Sequence, residues 1–174
     1  MVEMFISKEE IAEKVTELAT LIKNDYKGEH YVVLGTLKGS CIFLADLVRE
    51  LEDNITMEFV RVSSYGNSTY SGNRIRFDQT YELDITYKHV LLVEDIIDTG
   101  QTIRFLIDYL KGYRPSSIKI CTLLDKPSRR EVDNVKCDYV GFTIPNEFVV
   151  GYGLDYAQKY RNLPYIGILR SQEL

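Results

Sequence analysis

The chain has 174 residues, 45% of them hydrophobic and 27% charged, which is ordinary for a soluble globular protein and long enough to bury a core as one domain, residues 1–174. Its net charge of −5 excludes a generally basic surface for nucleic acid or anionic lipid, although backbone amides and a few local cations can still hold a phosphate. No apolar run approaches the ~20 residues of a membrane span, and the first ten residues lack a basic stretch followed by an apolar one, so a cytoplasmic protein is expected.

Ser7 followed by Glu10 fits a capping box, and Ile11, Val15, Leu18, Ala19 and Ile22 recur at helical spacing, which predicts a helix to about Lys23. Lys27, Gly28 and Glu29 break that pattern. Residues 31–34 form a short, β-branched apolar run that predicts a buried strand, and 35–40 lead into a second helix over 42–51. Alternation over 57–62 predicts another strand. The polar, glycine-rich segment 63–73 then has about the length at which a loop carries function. Residues 90–93 are the strongest buried strand, 95–101 a turn, and 102–111 a helix ending near Gly112. Further strands are predicted at 118–124 and 139–143. Strands alternating with helices specify an α/β fold, a parallel twisted sheet flanked by helices on both faces, with the N- and C-terminal segments packed over one edge as a small hood. Cys41, Cys121 and Cys137 lack C-x-x-C spacing and read as small buried hydrophobes, while His30 and His89 flank strands as structural residues.

The chemistry concentrates in residues 90–102, Val-Leu-Leu-Val-Glu-Asp-Ile-Ile-Asp-Thr-Gly-Gln-Thr. A buried strand ends in Glu94 and Asp95, Asp98 follows, and Thr99-Gly100-Gln101-Thr102 opens a helix. Ligands of open α/β sheets bind at the carboxyl ends of strands. Amides at the helix start, with the Thr99 and Thr102 hydroxyls, make an anion site, and Gly100 permits close approach or a positive φ. Adjacent acids at a strand end can hold Mg²⁺ or accept from ribose hydroxyls. Any one of these acids alone reads as a solvated charge or a helix cap; their coincidence with Thr-Gly-x-Thr does not. A P-loop nucleoside triphosphatase is excluded, because Lys38 precedes Gly39 instead of following it.

The segment resembles the phosphoribosyl pyrophosphate signature of type I phosphoribosyltransferases. Residues 31–169 are similar to the hypoxanthine-guanine phosphoribosyltransferases, in their short bacterial-like form. The resemblance implies Mg²⁺-dependent purine salvage, in which ribose 5-phosphate passes from phosphoribosyl pyrophosphate to N9 of hypoxanthine or guanine. It implies that Glu94, Asp95, Asp98, Thr99, Gly100, Gln101 and Thr102 bind the phosphoribosyl group, with Asp98 the catalytic acceptor of the N7 proton. Leu37, Lys38 and Gly39, with a cis peptide between the first two, match the pyrophosphate loop, joined by Ser64 and Tyr65 from a mobile loop and by Arg161. Either Arg129 or Arg130 completes that set, with Arg130 preferred by spacing from Lys126. The purine side is implied to be Lys126 on O6, Phe148 stacked on the ring, the backbone of Val149 at the base edge, and Asp155. Glu94, Asp95 and Asp155 are the implied metal residues. A homodimer or homotetramer is expected. Gln101 departs from the family pattern, where a lysine is frequent, and the run between Lys126 and the arginines is short. Alternatives are an enzyme for another base, against which Lys126 and the Phe148 motif argue, or a non-catalytic phosphoribosyl pyrophosphate sensor, for which the chain carries no added nucleic-acid-binding segment.

Overall fold

The computed structural model of the chain describes residues 2–51, 54–65, 74–78 and 84–170. Its elements in chain order are β1 (Val2–Ile6), α1 (Lys8–Asp25), β2 (Tyr31–Leu37), α2 (Cys41–Glu50), β3 (Ile55–Tyr65), β4 (Arg74–Asp78), β5 (His89–Ile97), α3 (Gln101–Lys111), β6 (Ser117–Asp125), β7 (Tyr139–Thr143), β8 (Val149–Val150) and β9 (Ile166–Leu169). The α1 capping box is complete: Ser7 Oγ accepts from the Glu10 amide at 3.2 Å, and Glu10 Oε2 accepts from the Ser7 amide at 2.8 Å. Every predicted strand is present, and all but β7, which matches its predicted bounds, run past the apolar residues. Most consequentially, β5 continues to Ile97, so Glu94 and Asp95 lie within the strand and the turn is confined to residues 98–100.

Six strands form one sheet in the order β4-β3-β2-β5-β6-β7, parallel except for β4, which lies antiparallel against β3. Ser64 and Tyr65 end β3, and residues 66–73 of the expected loop lie outside the described residues. The period of two along a strand divides the core. Val33, Leu91 and Val93 face one way and join the core with α1 and α2, whereas Val32, Leu34, Val90 and Leu92 face the other and join the core with Ile103, Leu106 and Leu110 of α3. The strand order reverses between β2 and β5, with β3 added on one side and β6 on the other. At such a switch point the connections leave in opposite directions and open a crevice at the carboxyl ends of the strands.

The expected hood is a separate antiparallel sheet, β1-β9-β8, none of whose strands the apolar pattern predicts. Its inner residues Ile6, Val149, Ile166 and Ile168 join the α1 and α2 side of the core. No helix among the described residues is long and apolar enough to cross a membrane. Ser7→Ala removes one half of the capping box and leaves the α1 core face intact. It is expected to cost about 1 kcal/mol of stability by urea denaturation without changing the slope of the transition.

Candidate active site

Both strands at the switch point deliver site residues to the crevice. β2 ends in Leu37, and the Leu37–Lys38 peptide is cis, as expected. Gly39 then passes directly against Asp95 of β5: a β-carbon at this position would lie 1.7 Å from Asp95 Oδ2, so no larger residue fits there. Asp95 is buried and its Oδ1 accepts from the Ile96 amide at 2.9 Å. Glu94 Oε2 is buried with no hydrogen-bond partner. Burial first, and the Asp95 charge second, push Glu94 well above the ordinary carboxylate range. Burial raises Asp95 too, opposed by hydrogen bonds from Glu94 and the Ile96 amide and by the attraction of Arg161. The two acids form a coupled pair that is costly to ionise fully without a cation.

Beyond β5 the chain turns through Asp98, Thr99 and Gly100. Gly100 takes φ 84 as the N-cap of α3, so Asp98 is not a helix cap. The amides of the first α3 turn face this bend, a geometry suited to an anion. The loop after β6 closes over it. Arg130 donates to the Asp98 carbonyl at 3.0 Å and pairs with Asp125, while its Cδ would lie 3.0 Å from a β-carbon on Gly100. The Glu131 amide donates to the Thr99 carbonyl at 3.0 Å, and Gln101 Nε2 donates to Glu131 Oε2 at 2.7 Å. The Asp98 carboxylate accepts from Arg129 Nε at 2.9 Å and stands 4.0 Å from Lys126 Nζ. Lys126 is buried, and burial lowers its pKa against the pull of Asp98. Spacing from Lys126 favours Arg130 over Arg129 as the arginine that contacts pyrophosphate. The structure sets Arg130 into the turn as a brace and puts the more exposed Arg129 on Asp98.

The hood supplies the opposite wall. Phe148 is 42% exposed, and its ring meets Tyr156 edge to face at 5.7 Å. The Leu169 amide donates to the Phe148 carbonyl at 2.9 Å. By the alternation of an antiparallel ladder, the amide and carbonyl of Val149 therefore point to the open edge of β8. Asp155 does not join Glu94 and Asp95. Its Oδ1 pairs with Arg161 at 2.7 Å and its Oδ2 accepts the Gln158 amide at 2.8 Å. Among the described residues no three His, Cys, Asp or Glu side chains converge as a metal site, so Asp155 stands apart from the Glu94 and Asp95 pair. Arg161 also donates to the Gly153 carbonyl at 2.6 Å, and Lys38 Nζ donates to Gln158 Oε1 at 3.3 Å. Of the residues that sequence reasoning missed, Tyr156 and Gln158 carry no signal of their own. Gly153 is legible only from its position between Tyr152 and Leu154 against the crevice, where a β-carbon would meet the Gly39 carbonyl at 2.0 Å.

Comparison with known proteins agrees with this architecture. The family model for the phosphoribosyl transferase domain matches residues 2–157. A hypoxanthine-guanine phosphoribosyltransferase of Streptococcus pneumoniae is 49% identical over 169 residues, covering 97% of this chain and 93% of that protein. A crystal structure of a hypoxanthine-guanine phosphoribosyltransferase from Bacillus anthracis superposes with a TM-score of 0.90 at 48% identity, covering 97% of this chain and 98% of that one. The bifunctional protein TilS/HprT of Listeria monocytogenes is 46% identical across 97% of this chain, which spans only 26% of that longer protein.

The buried acid pair has a consequence for stability. In the unfolded chain Glu94 ionises at an ordinary carboxylate value, whereas its folded value is raised. The raised value therefore adds stability below the ordinary range, and that stability is lost as pH climbs from there through the folded value. Glu94→Gln, uncharged at every pH, is expected to raise the urea midpoint of the ligand-free chain at about pH 8 and to match wild type near the ordinary carboxylate pKa of about 4.3. A variant less stable than wild type at the higher pH would show that the pair ionises without penalty.

Proposed function

Because the chain belongs to the phosphoribosyl transferase domain family, we propose that it transfers ribose 5-phosphate from phosphoribosyl pyrophosphate to N9 of hypoxanthine or guanine. The products are IMP or GMP and pyrophosphate, which makes it a purine salvage enzyme. The observation that carries this reading is the pairing of Asp98 with the buried Lys126, 4.0 Å apart, between an α3 N-terminus suited to phosphate and an exposed Phe148 suited to a flat base.

The 5′-phosphate sits on the 98–102 turn, held by the first amides of α3 and the Thr99 and Thr102 hydroxyls, with Arg130 bracing the turn from beneath. Glu94 and Asp95 face the ribose hydroxyls and a divalent cation. The pair fits Mg²⁺: Glu94 Oε2 is buried without a partner, and Mg²⁺ commonly takes one or two protein carboxylates and fills its remaining positions with water and substrate oxygens. When bound, Mg²⁺ supplies positive charge that offsets the negative charge of pyrophosphate. Lys38 and Arg161 flank the leaving group, with Asp155 orienting Arg161 through their ion pair. Charge growing on pyrophosphate in the transition state meets these cations already in place, without reorganisation.

On the purine side Phe148 stacks on the ring, the open backbone edge of Val149 meets the base, and Lys126 donates to O6. Adenine presents an amino donor where the oxopurines present that acceptor, and the unpaired buried lysine would cost it several powers of ten in rate. As the bond between C1 of the ribose and the pyrophosphate oxygen breaks, N9 bonds to C1 and the N7 proton passes to Asp98. Arg129, on Asp98 in the ligand-free chain, yields its place to the base.

Turnover of phosphoribosyl pyrophosphate is expected with hypoxanthine or guanine when Mg²⁺ is present, and not with adenine. Adenine turnover alone, or tight phosphoribosyl pyrophosphate binding without turnover of any base, would overturn the assignment. Asp98→Asn should lower kcat by roughly a hundredfold or more while KM moves little, since only the transition state needs the proton acceptor. Equal turnover in steady-state kinetics would remove Asp98 from this role.

A further inference from the structure

One hydrogen bond joins the two walls of the crevice at a point that touches neither substrate. The hood turn is built from three successive residues of positive φ, Gly151 at 100°, Tyr152 at 49° and Gly153 at 102°. Its backbone presses on the pyrophosphate-side loop closely enough that a β-carbon on Gly153 would meet the Gly39 carbonyl at 2.0 Å. The Tyr152 side chain is buried, and its hydroxyl donates to Asp46 Oδ2 at 2.5 Å. Asp46 lies on α2, the helix that starts directly after Ser40, and its other oxygen is taken by Arg49, which fixes the carboxylate toward the tyrosine. Burial, then the Asp46 bond, raises the phenol above its ordinary value, so it remains a donor across the neutral range.

We infer that Tyr152 is a positioning residue: its hydroxyl, seated on Asp46, locks the purine-side hood to the helix that carries the pyrophosphate loop. The inference rests on the function proposed above. In-line displacement at C1 requires the attacking N9 and the departing oxygen to be held on opposite sides of one carbon, and here each is held from both walls, the base by Phe148 and Val149 with Lys126, the pyrophosphate by Lys38 with Arg161, so the walls must keep their places against each other. Loss of the lock lets one wall drift against the other. The base keeps its own contacts, because Phe148 and Val149 are secured to β9. The penalty therefore falls on the alignment of the reacting atoms and not on binding.

Tyr152→Phe is expected to lower kcat roughly tenfold while KM for hypoxanthine stays within about twofold. Asp46→Asn, whose amide oxygen still accepts from Tyr152, should keep the wild-type kcat. Asp46→Ala should match Tyr152→Phe, and the double variant should be no slower than either. Wild-type kcat in Tyr152→Phe, with or without a lower Tm, would overturn the inference by reducing the bond to a fold anchor. Multiplying effects in the double variant would overturn it by making the two residues independent. Should Asp46→Ala fail to fold, Tyr152→Phe and Asp46→Asn decide the matter. A wild-type chain that turned over no purine would overturn the underlying function as well, a different result from a wild type matched by its variant.

Discussion

Two carboxylates buried side by side near the end of β5 constrain everything around them. Water solvates these two carboxylates poorly, and the Asp95 charge adds to the cost of ionising Glu94. The turn after β2, on the far side of the switch point, meets Asp95 with a glycine because no side chain fits between Gly39 and Asp95. A polypeptide selected for stability alone would place apolar residues here, as it does at Leu91, Leu92 and Val93 of the same strand. The orphaned oxygen of Glu94 is a sign that stability has been given up at this point of the strand.

The neighbouring turn solves a different problem by similar means. Residues 98–100 bring the start of α3 and the Asp98 carboxylate together within three consecutive positions. A turn so short cannot order itself. The loop after β6 orders it from outside: Arg130 holds the Asp98 carbonyl, Glu131 holds the Thr99 carbonyl, and Arg129 with Lys126 brackets the carboxylate. Parallel strands make this possible, since β5 and β6 run in register and deliver their following loops to the same end of the sheet.

What could be read from the sequence follows the range of the interaction concerned. The capping box at Ser7 and Glu10 and the apolar stripe of α1 are contacts within four residues, and both are legible. So are the cores of the parallel strands, because burial on two faces leaves a continuous apolar run. The ends of those strands are not, since main-chain pairing continues past the apolar residues and carries Glu94 and Asp95 inside β5. The strands of the expected hood escaped detection too: β8 has two residues, β9 has four, and β1 lies far from β9 in the chain. Within the site, the motif around residues 94–102 was readable because it is contiguous. The choice between Arg129 and Arg130 was not, because it turns on which way each side chain leaves a single turn of 3₁₀ helix. The partners of Asp155 were likewise invisible, being Arg161 and the Gln158 amide across a reversal of the chain.

The pairing of β1 with β9 sets an order of events during biosynthesis. Val2 lies opposite Leu169, and Arg170 bonds Glu3 across 167 positions of sequence. On the ribosome β1 emerges well before its partner β9, and it waits while the main sheet and its two switch-point strands are made. The wall that bears Phe148 and Val149 is closed only when β9 arrives to lie between β1 and β8. A nascent chain can therefore assemble the turn at residues 98–100 long before the opposite side of the crevice exists to face it.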